Sequence, residues 1–95
     1  MRVHWTRPAL RDLAEISDYI AQDSPSAAHR MLIEVRRQVA QLGDHPHLGR
    51  PGRVPDTREL VITSTPYLAP YRVSDRIIEV LAVVHGARNW PSDFT

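Results

Sequence analysis

The stretches Thr57-Arg58-Glu59-Leu60-Val61, Pro66-Tyr67-Leu68-Ala69-Pro70-Tyr71-Arg72-Val73 and Ile77-Ile78-Glu79-Val80-Leu81-Ala82-Val83-Val84-His85-Gly86-Ala87-Arg88 decide the fold of this chain. Each is a strand-length run of β-branched, aliphatic and aromatic residues bounded by turn formers. They predict three strands, with Leu60 and Ile62 on the first, Leu68 through Val73 on the second and Ile77 through Val84 on the third. Ser74-Asp75-Arg76 is short enough for a hairpin turn, so the last two strands pair antiparallel. Pro70 has no N–H to give a ladder and belongs at a sheet edge or a bulge. On the third strand Ile78, Val80, Ala82 and Val84 share one face, and Ile77, Leu81, Val83, His85 and Glu79 share the other. Two largely apolar faces make it a central strand covered on both sides.

Upstream the apolar period is helical. Val3 and Trp5 first alternate with His4 and Thr6, a short strand. Thr6 then has the character of an N-cap, with Pro8 in the first turn. Leu10, Leu13, Ile16, Tyr19 and Ile20 make an apolar stripe to about Gln22, opposed by Arg11, Asp12, Glu15 and Asp18. After a break at Asp23, Ser24 caps a second helix that opens on Pro25. Ala28, Met31, Leu32, Val35, Val39 and Leu42 are its buried stripe, and Gly43 is a natural left-handed C-terminus. So short a break implies an antiparallel helical hairpin. Residues 44–56 hold three Pro and two Gly, carry no period and read as a surface loop. The expected fold is α+β: an N-terminal strand and a helical hairpin packed on a small, mainly antiparallel sheet. The hairpin covers one sheet face. The other falls to the C-terminal segment, the loops or another protein.

At 95 residues this is one domain, 1–95, able to bury about 60–65% of its unfolded surface. An apolar fraction of 42% and a charged fraction of 24% suit a folded chain rather than a disordered one. The net charge of +1 excludes a global cationic field for nucleic acid. All twelve cationic side chains are Arg, which reflects either codon usage or a use for bidentate guanidinium contacts with phosphate or carboxylate. Without Cys there is no disulfide and no thiolate metal site. No signal-like or membrane-spanning run is present, so the chain reads as cytosolic.

Candidate chemistry concentrates at strand ends. His85 can exchange a proton near neutrality, and Arg88 could hold a phosphate within its reach. Cleaving RNA through its 2′-hydroxyl needs a base, an acid for the leaving oxygen and positive charge, and His85 is the one candidate that exchanges protons near pH 7. The structural alternative is that His85 bonds a backbone group while Arg88 pairs with Glu79, Asp93 or a terminal carboxylate. Arg58 beside Glu59 and Arg72 near Asp75 are either surface ion pairs or, with Arg50, Arg53 and Arg88, a cationic groove. His45-Pro46-His47 is too poor in donors for a metal and reads as a solvated loop. Trp5, Tyr19 and Met31 are expected in the core. Tyr67, Tyr71 and Trp90 can stack a base but more readily pack.

In order along the chain, four segments resemble the RelE/ParE superfamily, the toxins of type II toxin–antitoxin modules. They are the first helix Ala9 to Ile20; Leu42-Gly43-Asp44-His45-Pro46-His47-Leu48-Gly49-Arg50-Pro51-Gly52, close to the family's "L…P…GR.G"; Thr57-Arg58-Glu59-Leu60 with Pro66-Tyr67 and Tyr71-Arg72-Val73; and His85-Gly86-Ala87-Arg88 with Trp90. The resemblance covers nearly the whole chain. It implies a strand, a helical hairpin and a three-stranded antiparallel sheet, a growth-inhibiting or plasmid-stabilising role, and an antitoxin whose C-terminal segment wraps the toxin. Antitoxin or target binding then falls to Arg50, Arg53, Arg58, Arg72, Arg88 and Trp90, with operator DNA reached only through the antitoxin. No cofactor or membrane is implied. RelE-like members cut mRNA on the ribosome, and ParE-like members inhibit DNA gyrase. Of the ribonuclease pattern only Arg88 matches. Leu68 stands at the mid-strand arginine position and Phe94 at the C-terminal tyrosine position. The resemblance therefore points to a ParE-like toxin that acts by binding, with a RelE-like ribonuclease or a degenerate antitoxin partner as the alternatives. His85 and Arg88 would be catalytic only in the ribonuclease.

Overall fold

The structure, a computed structural model, describes residues 1–87. Strand β1 (Arg2–Trp5) leads into helix α1 (Arg7–Ala21) and helix α2 (Pro25–Ala40). The strands β2 (Arg50–Pro51), β3 (Arg58–Val61), β4 (Tyr67–Ser74), β5 (Ile77–Val80) and β6 (Val84–His85) follow. Both helix starts are capped as their sequences require. Thr6 Oγ1 accepts from Ala9 N and Ser24 Oγ from Ala27 N, each with a proline in the first turn. Thr6 does a second job by donating to the Val80 carbonyl at 2.7 Å, which ties the start of α1 to the end of β5.

The sheet order is β1-β5-β4-β3-β2, with β6 also paired to β4. All pairings are antiparallel except β1 with β5, where Val3 lies beside Ile78 and Trp5 beside Val80. One face packs on the hairpin. Leu60, Ala69, Tyr71, Ile78 and Val80 meet Ala9, Leu13, Met31, Val35 and Val39 in a single core. Removing those apolar surfaces from water is the main stabilising force, at about 25 cal/mol per Å² buried. The opposite face carries Arg2, His4, Arg72 and Glu79, as strand alternation demands.

Three expectations are corrected. The segment from Ile77 is not one strand to Val84. Tyr71 pairs with Val80 and Leu68 with Val84, so Ala69 and Pro70 face the three residues Leu81, Ala82 and Val83 across a bulge. Pro70 is the reason. Its carbonyl accepts from Leu81 N at 2.9 Å, but it has no N–H to return. The bulge expected for Pro70 is therefore present, inside the sheet rather than at its edge. Second, α2 ends at Ala40 in a 3-10 turn over Gln41–Gly43, and Gly43 is not left-handed. Glycine is needed there for space, because a Cβ would come within 2.8 Å of the Met1 carbonyl. Third, Tyr19 is 69% exposed instead of buried, and Leu10 is 48% exposed. The apolar stripe of α1 is wider than its contact with the sheet, and Tyr19 borders open space beyond the end of β5. Met31 is in the core and Trp5 packs against it, half-buried.

Candidate functional site: a latched loop, a split arginine set and a cleft

Tyr71 organises the loop that enters the sheet. Its side chain is fully buried, yet its hydroxyl is doubly satisfied: it donates to the Pro46 carbonyl at 2.8 Å and accepts from Gly49 N at 2.9 Å. Gly49 is required by this contact, since a Cβ would lie 2.6 Å from the tyrosine ring and 2.8 Å from the Glu59 carbonyl. The base-stacking reading of Tyr71 is thereby excluded, because its ring is enclosed.

Glu59 is the second latch. It is 3% exposed on β3 and accepts from Arg50 at 3.2 Å, from the Arg53 guanidinium at 3.3 Å and from Arg53 N at 2.8 Å. Burial alone pushes its carboxyl upward. The Arg53 backbone N–H and the two guanidiniums prevail and hold it below its ordinary range. The ion pair expected between Arg58 and Glu59 is thus replaced by pairs to Arg50 and Arg53. Arg58 instead donates to the Gly49 carbonyl at 2.7 Å and the His47 carbonyl at 3.4 Å.

The single groove of Arg50, Arg53, Arg58 and Arg72 is not what the register builds. Arg58 lies opposite Tyr71 and shares its hairpin-facing side, whereas Arg72 lies opposite Glu79 on the open face. Among the described residues Arg72 makes no ion pair, either with Glu79 or with Asp75. Arg88, Trp90 and Phe94 lie outside the described residues. His45 and His47 are exposed, and no group of three or more metal-ligating side chains occurs among the described residues.

His85 sits directly opposite Tyr67 in the ladder, and the two rings meet edge to face at 5.7 Å. Its Nδ1 accepts from Ala87 N at 3.1 Å, the backbone bond that was one of the two expected roles. The neutral ring therefore carries its proton on Nε2, where it donates rather than accepts. Next to His85, Asp12 of α1 takes the bulge's spare N–H, with Val83 N 3.0 Å from its Oδ2. Sequence periodicity placed Asp12 on the solvent side of α1, since nothing local signals a partner 71 residues away. Asp12, Glu15, Ile16 and Tyr19 on α1 and Tyr67 and His85 on the sheet wall an open cleft of about 530 Å³.

Residues 3–90 match the family described as the ParE toxin of the type II toxin–antitoxin system parDE. The chain belongs to the ParE toxin family. It is 47% identical over 90 residues to the candidate toxin Y4kP of Sinorhizobium fredii, covering 95% of this chain and 93% of that one. It is 39% identical over 87 residues to Toxin RelE2 of Caulobacter vibrioides, covering 92% and 97%. A solved structure titled as the chromosomal ParDE toxin–antitoxin system from P. aeruginosa superposes with a TM-score of 0.80 at 33% identity, over 90% of this chain and 95% of that one. The α+β architecture is thus that of a ParE-family toxin. In this ParE chain the loop motif is explained by packing: Leu42 is buried, Pro46 and Gly49 receive Tyr71, and Arg50 closes on Glu59. Among the described residues no helix is long and apolar enough to cross a membrane.

Proposed function

We propose that this ParE-family toxin is neutralised by a cognate antitoxin made beside it, and that in the cytoplasm it arrests growth by binding DNA gyrase rather than by cutting RNA. His85 carries the choice between binding and cleavage. A general base needs a free lone pair aimed at the proton it removes. With Nδ1 committed to Ala87 N, the neutral imidazole offers only an N–H. Leu68 supports the same reading. It is 6% exposed within β4, where a phosphate-holding arginine would be required. The antitoxin assignment is supported by the family description and by the P. aeruginosa structure, which is titled as a toxin–antitoxin system. The competing ribonuclease reading rests on Arg88 and on the name of the Caulobacter relative.

The test is expression of the chain alone, and then with the product of the adjacent gene, in a permissive host. Filamentation with DNA damage, inhibition of purified gyrase and rescue by the neighbouring product are expected. His85→Ala is expected to remain fully toxic. Rapid mRNA cleavage that His85→Ala or Arg88→Ala abolishes, with the fold intact, would replace this reading with the ribonuclease. Absence of any growth defect would leave a degenerate toxin that only pairs with its antitoxin.

A further inference from the structure

The cleft beside the bulge has a chemistry unlike that of the arginine rim. Its α1 wall carries two carboxylates. Glu15 is exposed and makes no hydrogen bond or ion pair among the described residues, and Asp12 uses one oxygen for Val83 N. The remaining walls are aromatic or apolar: Tyr19 stands 69% exposed, Tyr67 presents a half-buried ring edged by His85, and Ile16 lines the same cleft. An anion would meet like charge here, so the cleft is unsuited to nucleic-acid phosphate. A purely apolar side chain would leave the carboxylates without partners. A cation on a long apolar stem satisfies both, its charge between the acids and its methylenes against the rings.

We propose that this cleft receives a lysine or arginine side chain, flanked by apolar residues, on the antitoxin segment that wraps the toxin. The assignment rests on the antitoxin reading above and deepens it. It gives the partner a basic anchor for the α1 cleft in addition to whatever meets the arginines. The state of Asp12 adds to the case. Burial is the largest influence on its carboxyl and raises its pKa. The Val83 N–H opposes this, Glu15 reinforces it by like charge, and Arg11 offsets it least. An ionised Asp12 is therefore kept at some expense to the free toxin, and an incoming cation relieves that expense.

The experiment is a titration of the purified toxin with the adjacent gene's product, followed by thermal melting of each toxin variant. Glu15→Arg is expected to weaken binding about tenfold or more, and Tyr19→Ala severalfold, with melting temperatures unchanged because both side chains are exposed. Asp12→Asn keeps an acceptor for Val83 N. It is expected to weaken binding while raising the melting temperature, which a merely structural role would not do. A partner Lys→Glu or Arg→Glu substitution that restores affinity for Glu15→Arg would identify the anchor. If the wild type binds the partner and all three variants bind equally well, the cleft assignment is wrong while the antitoxin reading stands. If the wild type does not bind at all, both fail. A toxin that self-associates, and loses its dimer on Glu15→Arg, would place a second copy in the cleft and overturn the proposal.

Discussion

Glu59 shows how much one buried side chain can carry in a small domain. It gathers two guanidiniums and a backbone N–H from the entering loop onto β3. Replacing it with Gln removes the charge-assisted bonds and is expected to cost about 1–3 kcal/mol. Arg50→Gln is expected to cost no more than about 1 kcal/mol, since its side chain is half exposed and Arg53 still holds the carboxylate. The pH dependence follows from the sign of the shift. The folded carboxyl lies below its ordinary value of 4.5, so its stabilisation is complete above that pH and disappears as pH falls through the depressed value. Thermal melts of wild type and Glu59→Gln should therefore converge below about pH 4.5. A constant difference down to pH 2 would show that shape, not charge, holds the loop. None of this was legible in Arg58-Glu59, where adjacency suggested the wrong pair. A strand sends neighbours to opposite faces, and the true partners, nine and six residues upstream, arrive only when β2 pairs with β3.

At the level of elements, the join between β5 and β6 is the informative one. Pro70 denies a ladder bond, the opposing segment takes on an extra residue, and Asp12 reaches from α1 to satisfy Val83 N. Pro70 announced the bulge in the sequence; its place within the sheet was hidden, because only the pairing of β4 with both β5 and β6 reveals it. Asp12 supplies the test. Asp12→Ala leaves the Val83 N–H without its acceptor and is expected to lower the melting temperature by roughly 4–8 °C, for about 1 kcal/mol lost in a domain of this size. Asp12→Asn should do the reverse at neutral pH. The folded pKa of Asp12 is raised from 3.8, so the wild type loses stability as pH rises through that raised value. The gain from Asn should vanish below pH 3.8, where both side chains are neutral. A gain that persists at pH 3 would mean that ionisation is not its source.

For the molecule as a whole, β1 is the clasp. It pairs parallel with β5 more than seventy residues away, and Val3 and Trp5 close the core between hairpin and sheet. Deleting residues 2–5 should uncover β5 as a new edge and abolish cooperative unfolding, with aggregation on size exclusion. A monomeric, cooperatively melting deletion variant would show that the remaining sheet suffices. The resemblance of four motif segments pointed to the RelE/ParE kind. Local pattern in the sequence alone determined where both helices begin, where the longer strands lie and that the domain is α+β, though it missed β2 at Arg50–Pro51 and the break between β5 and β6. What it did determine depends on apolar period, caps and prolines, which act over a few residues. Only the tertiary structure decided that Glu59 pairs with Arg50 and Arg53, that Arg58 and Arg72 part to opposite faces, and that α1 and the bulge leave an acidic, aromatic cleft. Such contacts join residues remote in the chain. They are set by strand register and helix rotation, which no local pattern encodes.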